Sequence, residues 1–131
     1  MSSETNGRMA GRRVLVVGAG QETYDLPPDQ VTMGNGRAAS VRMAQEGAVV
    51  ACADLHLERA QDTVEQIVAD GGRALAFAVD ATDEVSMTEL FAAATAAMGG
   101  LDGVLVNVGM GGPAWLANTS AAAWDRTFAL N

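Results

Sequence analysis

Apolar positions along this chain follow two alternating regimes: short unbroken runs, and longer stretches where they recur every three or four residues. Val14-Leu15-Val16-Val17 is unbroken and stops at Gly18-Ala19-Gly20, which predicts a strand covered on both faces. A polar loop follows. Residues 36–46 then read as a helix carrying Ala38, Ala39, Val41, Met43 and Ala44, stopped by Gly47, and a second strand, Ala48-Val49-Val50-Ala51-Cys52-Ala53-Asp54, comes at once. A second helix is predicted over 57–70, with Ala60, Val64, Ile67 and Val68 on one face and Gly71-Gly72 as its stop. The third strand is Ala74-Leu75-Ala76-Phe77-Ala78-Val79, closed by Asp80. A third helix starts near Asp83 with Thr82 as N-cap, carries Val85, Leu90, Phe91 and Ala94, and ends at Gly99-Gly100. Gly103-Val104-Leu105-Val106-Asn107 is the fourth strand, and a last helix begins near Ser120.

Strands separated by helices of this length predict an α/β domain with a doubly wound parallel sheet. Right-handed crossovers give it the strand order 3-2-1-4. Residues 1–12 read as a polar tail, and 13–131 as one domain, truncated after the helix that follows strand four and so incomplete at its C-terminus. In such a sheet strand four is central, so Val104, Leu105 and Val106 are expected to lose cover on one side.

Composition narrows the partners. Of the 131 residues 49% are hydrophobic and only 5% aromatic, so the core is aliphatic. Lys+Arg is 8 against Asp+Glu 16, a formal charge of -8, which gives no general attraction to nucleic acid or to anionic lipid. Cys52 stands alone inside the second strand, the place of a small buried thiol, and neither a disulfide framework nor a metal cluster is expected. No apolar run approaches the length of a membrane helix, and the start Met1-Ser2-Ser3-Glu4-Thr5-Asn6-Gly7 has no apolar signal core, so a cytoplasmic location is expected.

The chemistry lies at strand ends. Asp54 closes strand two, twenty positions after Gly34 of a glycine-rich turn. A carboxylate there can accept both ribose hydroxyls of an adenosine, while the turn and the following helix receive a pyrophosphate. Gly18, Gly34 and Gly36, with Asn35 between the last two, allow a tight turn and a close backbone approach to phosphate; their alternative is ordinary turn punctuation. That combination defines a dinucleotide-binding (Rossmann-type) domain.

From Arg13 to Asn131 the chain resembles the N-terminal half of a short-chain dehydrogenase/reductase. The family's glycine motif, a glycine, three variable residues and Gly-x-Gly, is matched by Gly18 and Gly34-Asn35-Gly36, with Gln21-Glu22-Thr23-Tyr24-Asp25-Leu26-Pro27-Pro28-Asp29-Gln30-Val31-Thr32 inserted between them. Asp54, Asp80, Leu101-Asp102 and Asn107-Val108-Gly109 follow in the family's order, although Val106 and Val108 replace an Asn and an Ala of its usual Asn-Asn-Ala-Gly. The final helix, Trp124 to Asn131, resembles the family helix that carries an active-site asparagine, and Asn131 falls on that position. The resemblance implies that Asp54 and Leu55 border the adenosine ribose, that Asp80 meets the adenine amino group with Ala81 adding backbone contacts, and that Asn107, Val108 and Gly109 line the adenine-ribose side. Without it, Asp54 is a solvated strand-end acid, Asp80-Ala81-Thr82 a helix cap and Asn107-Val108-Gly109 a simple turn. Arg37 is read as either a phosphate contact or a surface salt-bridge partner, and His56 as a solvated residue at a helix start.

A 2′-phosphate beside Asp54 would set two anions in contact, so NAD is expected over NADP, with Arg37 the one nearby cation. Family chemistry uses a Tyr, a Lys four residues on, a Ser and the helix Asn. Only the Asn is present: residue 28, four after Tyr24, is Pro28, and the chain contains no lysine. The sequence therefore predicts the NAD-binding half of an alcohol/ketone oxidoreductase, inactive as written, that forms a homo-oligomer and takes a small alcohol or ketone when complete. Two other classes stay open: an NAD-sensing module without catalysis, and an S-adenosylmethionine-dependent methyltransferase, which shares the glycine turn and the strand-two acid. The segment from Gln21 to Thr32, which holds Pro27-Pro28, is expected to be an exposed loop that neither helix nor strand absorbs, with Tyr24 and Leu26 outside the core.

Overall fold

Each unbroken apolar run becomes a parallel strand. In the computed structural model, which describes residues 7–22, 27–30, 33–111 and 115–131, β1 (Arg13–Val17), β2 (Val49–Asp54), β3 (Arg73–Ala78) and β4 (Gly103–Val106) form one sheet in the order β3-β2-β1-β4. Val14 pairs with Val50 on one side and with Gly103 on the other. The helices are α1 (Asn35–Gln45), α2 (Leu57–Ala69), α3 (Glu84–Met98) and α4 (Ala121–Leu130). Because side chains alternate across a strand, the sheet feeds two cores. Val14, Val16, Val50 and Cys52 pack with Val41, Ala44, Ala60 and Ile67 of α1 and α2. Leu15, Val17, Ala51 and Ala53 pack on the opposite face with Leu90 and Ala94 of α3. Central strands must be apolar throughout when both faces are covered, which is why β1 and β2 show no alternation. Burial pushes the Cys52 thiol up to about 11, so it behaves as a small apolar side chain and not as a nucleophile.

Capping chemistry sets the helix ends. Asp83, and not Thr82, is the N-cap of α3: its Oδ1 accepts from Val85 N at 3.0 Å. Thr82 is drawn back to Asp80, donating from both N and Oγ1 to Asp80 Oδ1 at 2.9 and 2.6 Å. Gly99 ends α3 in the left-handed conformation, φ 73°, and Ser120 caps α4 by accepting from Ala123 N at 3.1 Å. Among the described residues β4 pairs with β1 alone, and Val104, Leu105 and Val106 are all exposed, Val106 to 62%.

Within the insertion, Pro28–Gln30 forms one exposed 3-10 turn, so the segment is not wholly without helical structure as the sequence predicted. Tyr24 and Leu26 lie outside the described residues. Limited proteolysis should cut first between residues 21 and 33, since the 3-10 turn is short, exposed and held by local bonds. A first cut inside any strand would contradict this.

Two ion-pair clusters tie distant segments. Arg8 donates from its backbone N to Glu46 Oε2 (3.1 Å) and from Nη2 to Oε1 (2.9 Å), with Arg42 Nη2 at 2.7 Å from the same Oε1. The Arg8 hydrogen bonds hold the Glu46 carboxyl at about 2, against an ordinary 4.5. Arg13 likewise lowers Asp102, 89 positions away, through Nε and its backbone N. Carboxylates lowered in the folded state stabilise it above their unfolded pKa and lose that contribution as pH falls through the folded one. Stability should therefore fall between about pH 4.5 and pH 2, and Glu46→Gln should flatten that part of a melting-temperature profile. Identical profiles for the two proteins would remove Glu46 from the account.

Candidate nucleotide-binding site

Where β1 ends, the backbone must turn beneath α1 with almost no room. Gly18 sits at φ 88°, left-handed space that a side chain rarely enters, and a Cβ there would lie 2.5 Å from Asn107 O. A Cβ on Gly36 would fall on the Gly18 carbonyl oxygen. Two glycines thus bring the start of α1 and the end of β4 against the end of β1. Gly18 N and Ala19 N both donate to Ala53 O, at 2.8 and 2.9 Å, and Asn107 N donates to Val17 O at 2.8 Å. The turn is fastened to β2 and β4 before any ligand arrives.

Thr63, fully buried on α2, fixes the outer side of the turn. Its Oγ1 donates to Ala19 O (2.9 Å) and accepts from Arg37 Nε (3.1 Å). Arg37 forms no ion pair among the described residues, and its Nε donates to Thr63 on α2. Gln21 Oε1 accepts from Gly34 N at 2.5 Å, joining the two ends of the insertion. Gly34 caps α1 without a side-chain hydrogen bond, and no acid occupies the first turn, so the helix presents its N-terminal dipole uncompensated.

Asp54 is oriented by backbone. Its Oδ2 accepts from Gly20 N and its Oδ1 from His56 N, both at 3.0 Å. Each oxygen keeps lone-pair capacity for a further donor. Asp80 is held by Thr82, whose hydroxyl lowers its pKa, while its own N–H donates to Ser86 Oγ at 2.9 Å.

These ends surround a cleft of about 330 Å³. Gly18, Gly34, Asn35, Gly36, Asp54, Leu55, Asp80, Ala81, Asn107, Val108 and Gly109, all named from sequence, line it together. Asn131 does not, although its neighbour Leu130 does. The Asn131 side chain is instead bound to backbone: Oδ1 accepts from Met110 N (3.3 Å), and Nδ2 donates to Met110 O (3.0 Å) and Thr127 O (2.8 Å). It ties α4 to the segment after β4. Besides the apolar Val17, Val79 and Leu130, sequence reasoning missed Gly20, Glu22, His56 and Arg59 in the lining. Arg59 lies five positions beyond Asp54 in the first turn of α2, and the buried Thr63 lies four positions further along the same face. The other three depend on contacts between elements.

Residues 31–131 match the short chain dehydrogenase family. The chain is 34% identical over 124 residues to the 2,5-dichloro-2,5-cyclohexadiene-1,4-diol dehydrogenase of Sphingobium indicum, covering 95% of itself and 45% of that protein. It is 33% identical over 99 residues to the 2,3-dihydro-2,3-dihydroxybenzoate dehydrogenase of Bacillus subtilis, covering 75% and 38% respectively. A hydroxysteroid dehydrogenase from Escherichia coli superposes with a TM-score of 0.81 at 28% identity, over 97% of this chain and 48% of that one. The chain belongs to the short chain dehydrogenase family and has its Rossmann-type fold. It spans less than half the length of these relatives.

Proposed function

We propose that these 131 residues are the nucleotide-binding half of an NAD-dependent oxidoreductase that interconverts an alcohol and a ketone. The carrying observation is the Asp54 carboxylate, fixed at the end of β2 by Gly20 N–H and His56 N–H and facing the same cleft as the uncapped start of α1. The cleft's residues fit a dinucleotide. Free first-turn amides of α1 meet a pyrophosphate, Asp54 accepts the ribose hydroxyls, and Asp80 and Ala81 border the adenine. A bound nicotinamide supplies the hydride acceptor or donor. Asn131, bound to Met110, would fix α4 against the segment after β4.

Asp54 also repels a 2′-phosphate, which favours NAD over NADP. The intact enzyme is read as a cytoplasmic homo-oligomer; among the described residues no helix is long and apolar enough to cross a membrane. With no lysine in the sequence, these residues alone are expected to bind nucleotide without turnover. Calorimetry with NAD, NADP and S-adenosylmethionine tests the reading. NAD should bind tightest of the three and S-adenosylmethionine not at all. Preferential binding of S-adenosylmethionine would replace the proposal with a methyltransferase.

A further inference from the structure

The insertion in the glycine turn reaches into the site that it interrupts. The Gly34 amide belongs to the N–H groups that a helix start leaves without an intrahelical partner, and such groups are where an anion binds. In this structure Gln21 Oε1 already accepts from it, at 2.5 Å. Gln21 Nε2 donates in turn to Glu22 O at 3.3 Å, so the same side chain holds the backbone of its neighbour. Glu22 lines the cleft together with Gly34, Asn35 and Gly36. α1 has no acid in its first turn, and Gly34 offers it no side-chain cap. The acceptor at its positive end therefore comes from the insertion, and a carboxylate follows directly in the chain. Between Gly20 and Gly34 the sequence holds Glu22, Asp25 and Asp29 but no Lys, Arg or His, so the insertion brings no cation to offset Glu22. A pyrophosphate entering the cleft has to compete with the Gln21 oxygen for the Gly34 amide and with the charge of Glu22 for the helix start.

We propose that Gln21 and Glu22 form an autoinhibitory contact: the Gln21 amide oxygen holds a backbone donor of the phosphate cradle, the Glu22 carboxylate repels the incoming pyrophosphate, and a nucleotide binds by displacing both. The inference rests on the nucleotide-binding reading above and adds a regulation to it. The plain alternative is that Gln21 only caps α1 and keeps the turn in shape. The two differ in sign. Loss of a cap loosens the cradle and weakens binding, whereas loss of a competitor strengthens it.

The measurement is binding of NAD and of adenosine to the intact protein by calorimetry, at low and at high salt, in wild type, Gln21→Ala and Glu22→Gln. Gln21→Ala should tighten NAD by about two- to tenfold, the size of one hydrogen bond no longer competed for, even where its melting temperature falls. Glu22 is exposed, so Glu22→Gln tests the charge without disturbing the fold. It should tighten NAD by about two- to fivefold at low salt, and the gain should fade at high salt as the repulsion is screened. Adenosine carries no phosphate, and its affinity should stay the same in all three proteins. NAD binding seen in the variants and not in the wild type would be the same inhibition in its strongest form. Weaker NAD binding in Gln21→Ala, no gain in Glu22→Gln, or equal gains for adenosine would overturn the inhibition and leave the NAD-binding reading standing. Failure of all three proteins to bind NAD would overturn both.

Discussion

Gly36→Ala should lower the melting temperature by roughly 8–15 °C, corresponding to about 2–3 kcal/mol for a chain of this size. Two effects of opposite sign compete at this position. Alanine in a helix is favoured over glycine by about 1 kcal/mol, which alone would stabilise α1. Against that, the new methyl falls on the Gly18 carbonyl oxygen, with Asn107 Nδ2 3.1 Å away. The obstacle is strand-end backbone, anchored through Gly18 N to Ala53 O, and it cannot rotate aside as a side chain would. Overpacking of this kind costs typically 1–3 kcal/mol and more where the neighbour is rigid, so the clash outweighs the propensity gain. Nucleotide affinity should fall in parallel, since α1 is displaced from the turn. A melting temperature equal to or above that of the wild type would show that α1 and β1 can separate freely, and the cradle described above would be wrong.

Asp54→Ala should weaken NAD binding by about 1.5–3 kcal/mol, roughly 10- to 150-fold, as charge-assisted hydrogen bonds to the ribose are lost. The same change should narrow the preference over NADP, because the anion that would face a 2′-phosphate is gone. Removing the carboxylate also leaves Gly20 N and His56 N without their acceptor, so part of the effect comes from a looser turn. Asp54→Asn, which keeps an oxygen for one of those amides, separates the contributions: it should retain the turn and lose the charge. Equal affinity of wild type and Asp54→Ala for both nucleotides would sink the assignment of the ribose site.

Strand order and the greater part of the cleft were legible in the sequence for one physical reason. Parallel strands buried on both faces are written as unbroken apolar runs, and in this architecture ligands meet the residues immediately after those runs. Asp54, Asp80 and Asn107 could be placed together because each ends or follows a run, and the crossover rule sets all their ends on one side of the sheet. What stayed hidden depends on how helices sit against loops. Thr63 accepts from Arg37 Nε, joining α1 to α2, and nothing in the local sequence of either residue signals that bond. Gly20 lies outside the glycine motif, and its closeness to Asp54 and Arg59 emerges only once α2 is packed. Thr82, expected as the cap of α3, gives both its donors to Asp80, and Asp83 caps the helix instead.

The hydrogen bond from Gly34 N to Gln21 Oε1 has an evolutionary side. It brings together two positions 13 residues apart, at the two ends of the inserted segment. Closure entropy grows only slowly with loop length, about 0.6 kcal/mol per doubling. Added length between these two positions should therefore cost little at the rim of the cleft. Guest sequence can lengthen there by drift or by design while the glycines on either side keep their places, and a guest that responds to its own signal would report directly on the cleft beneath it.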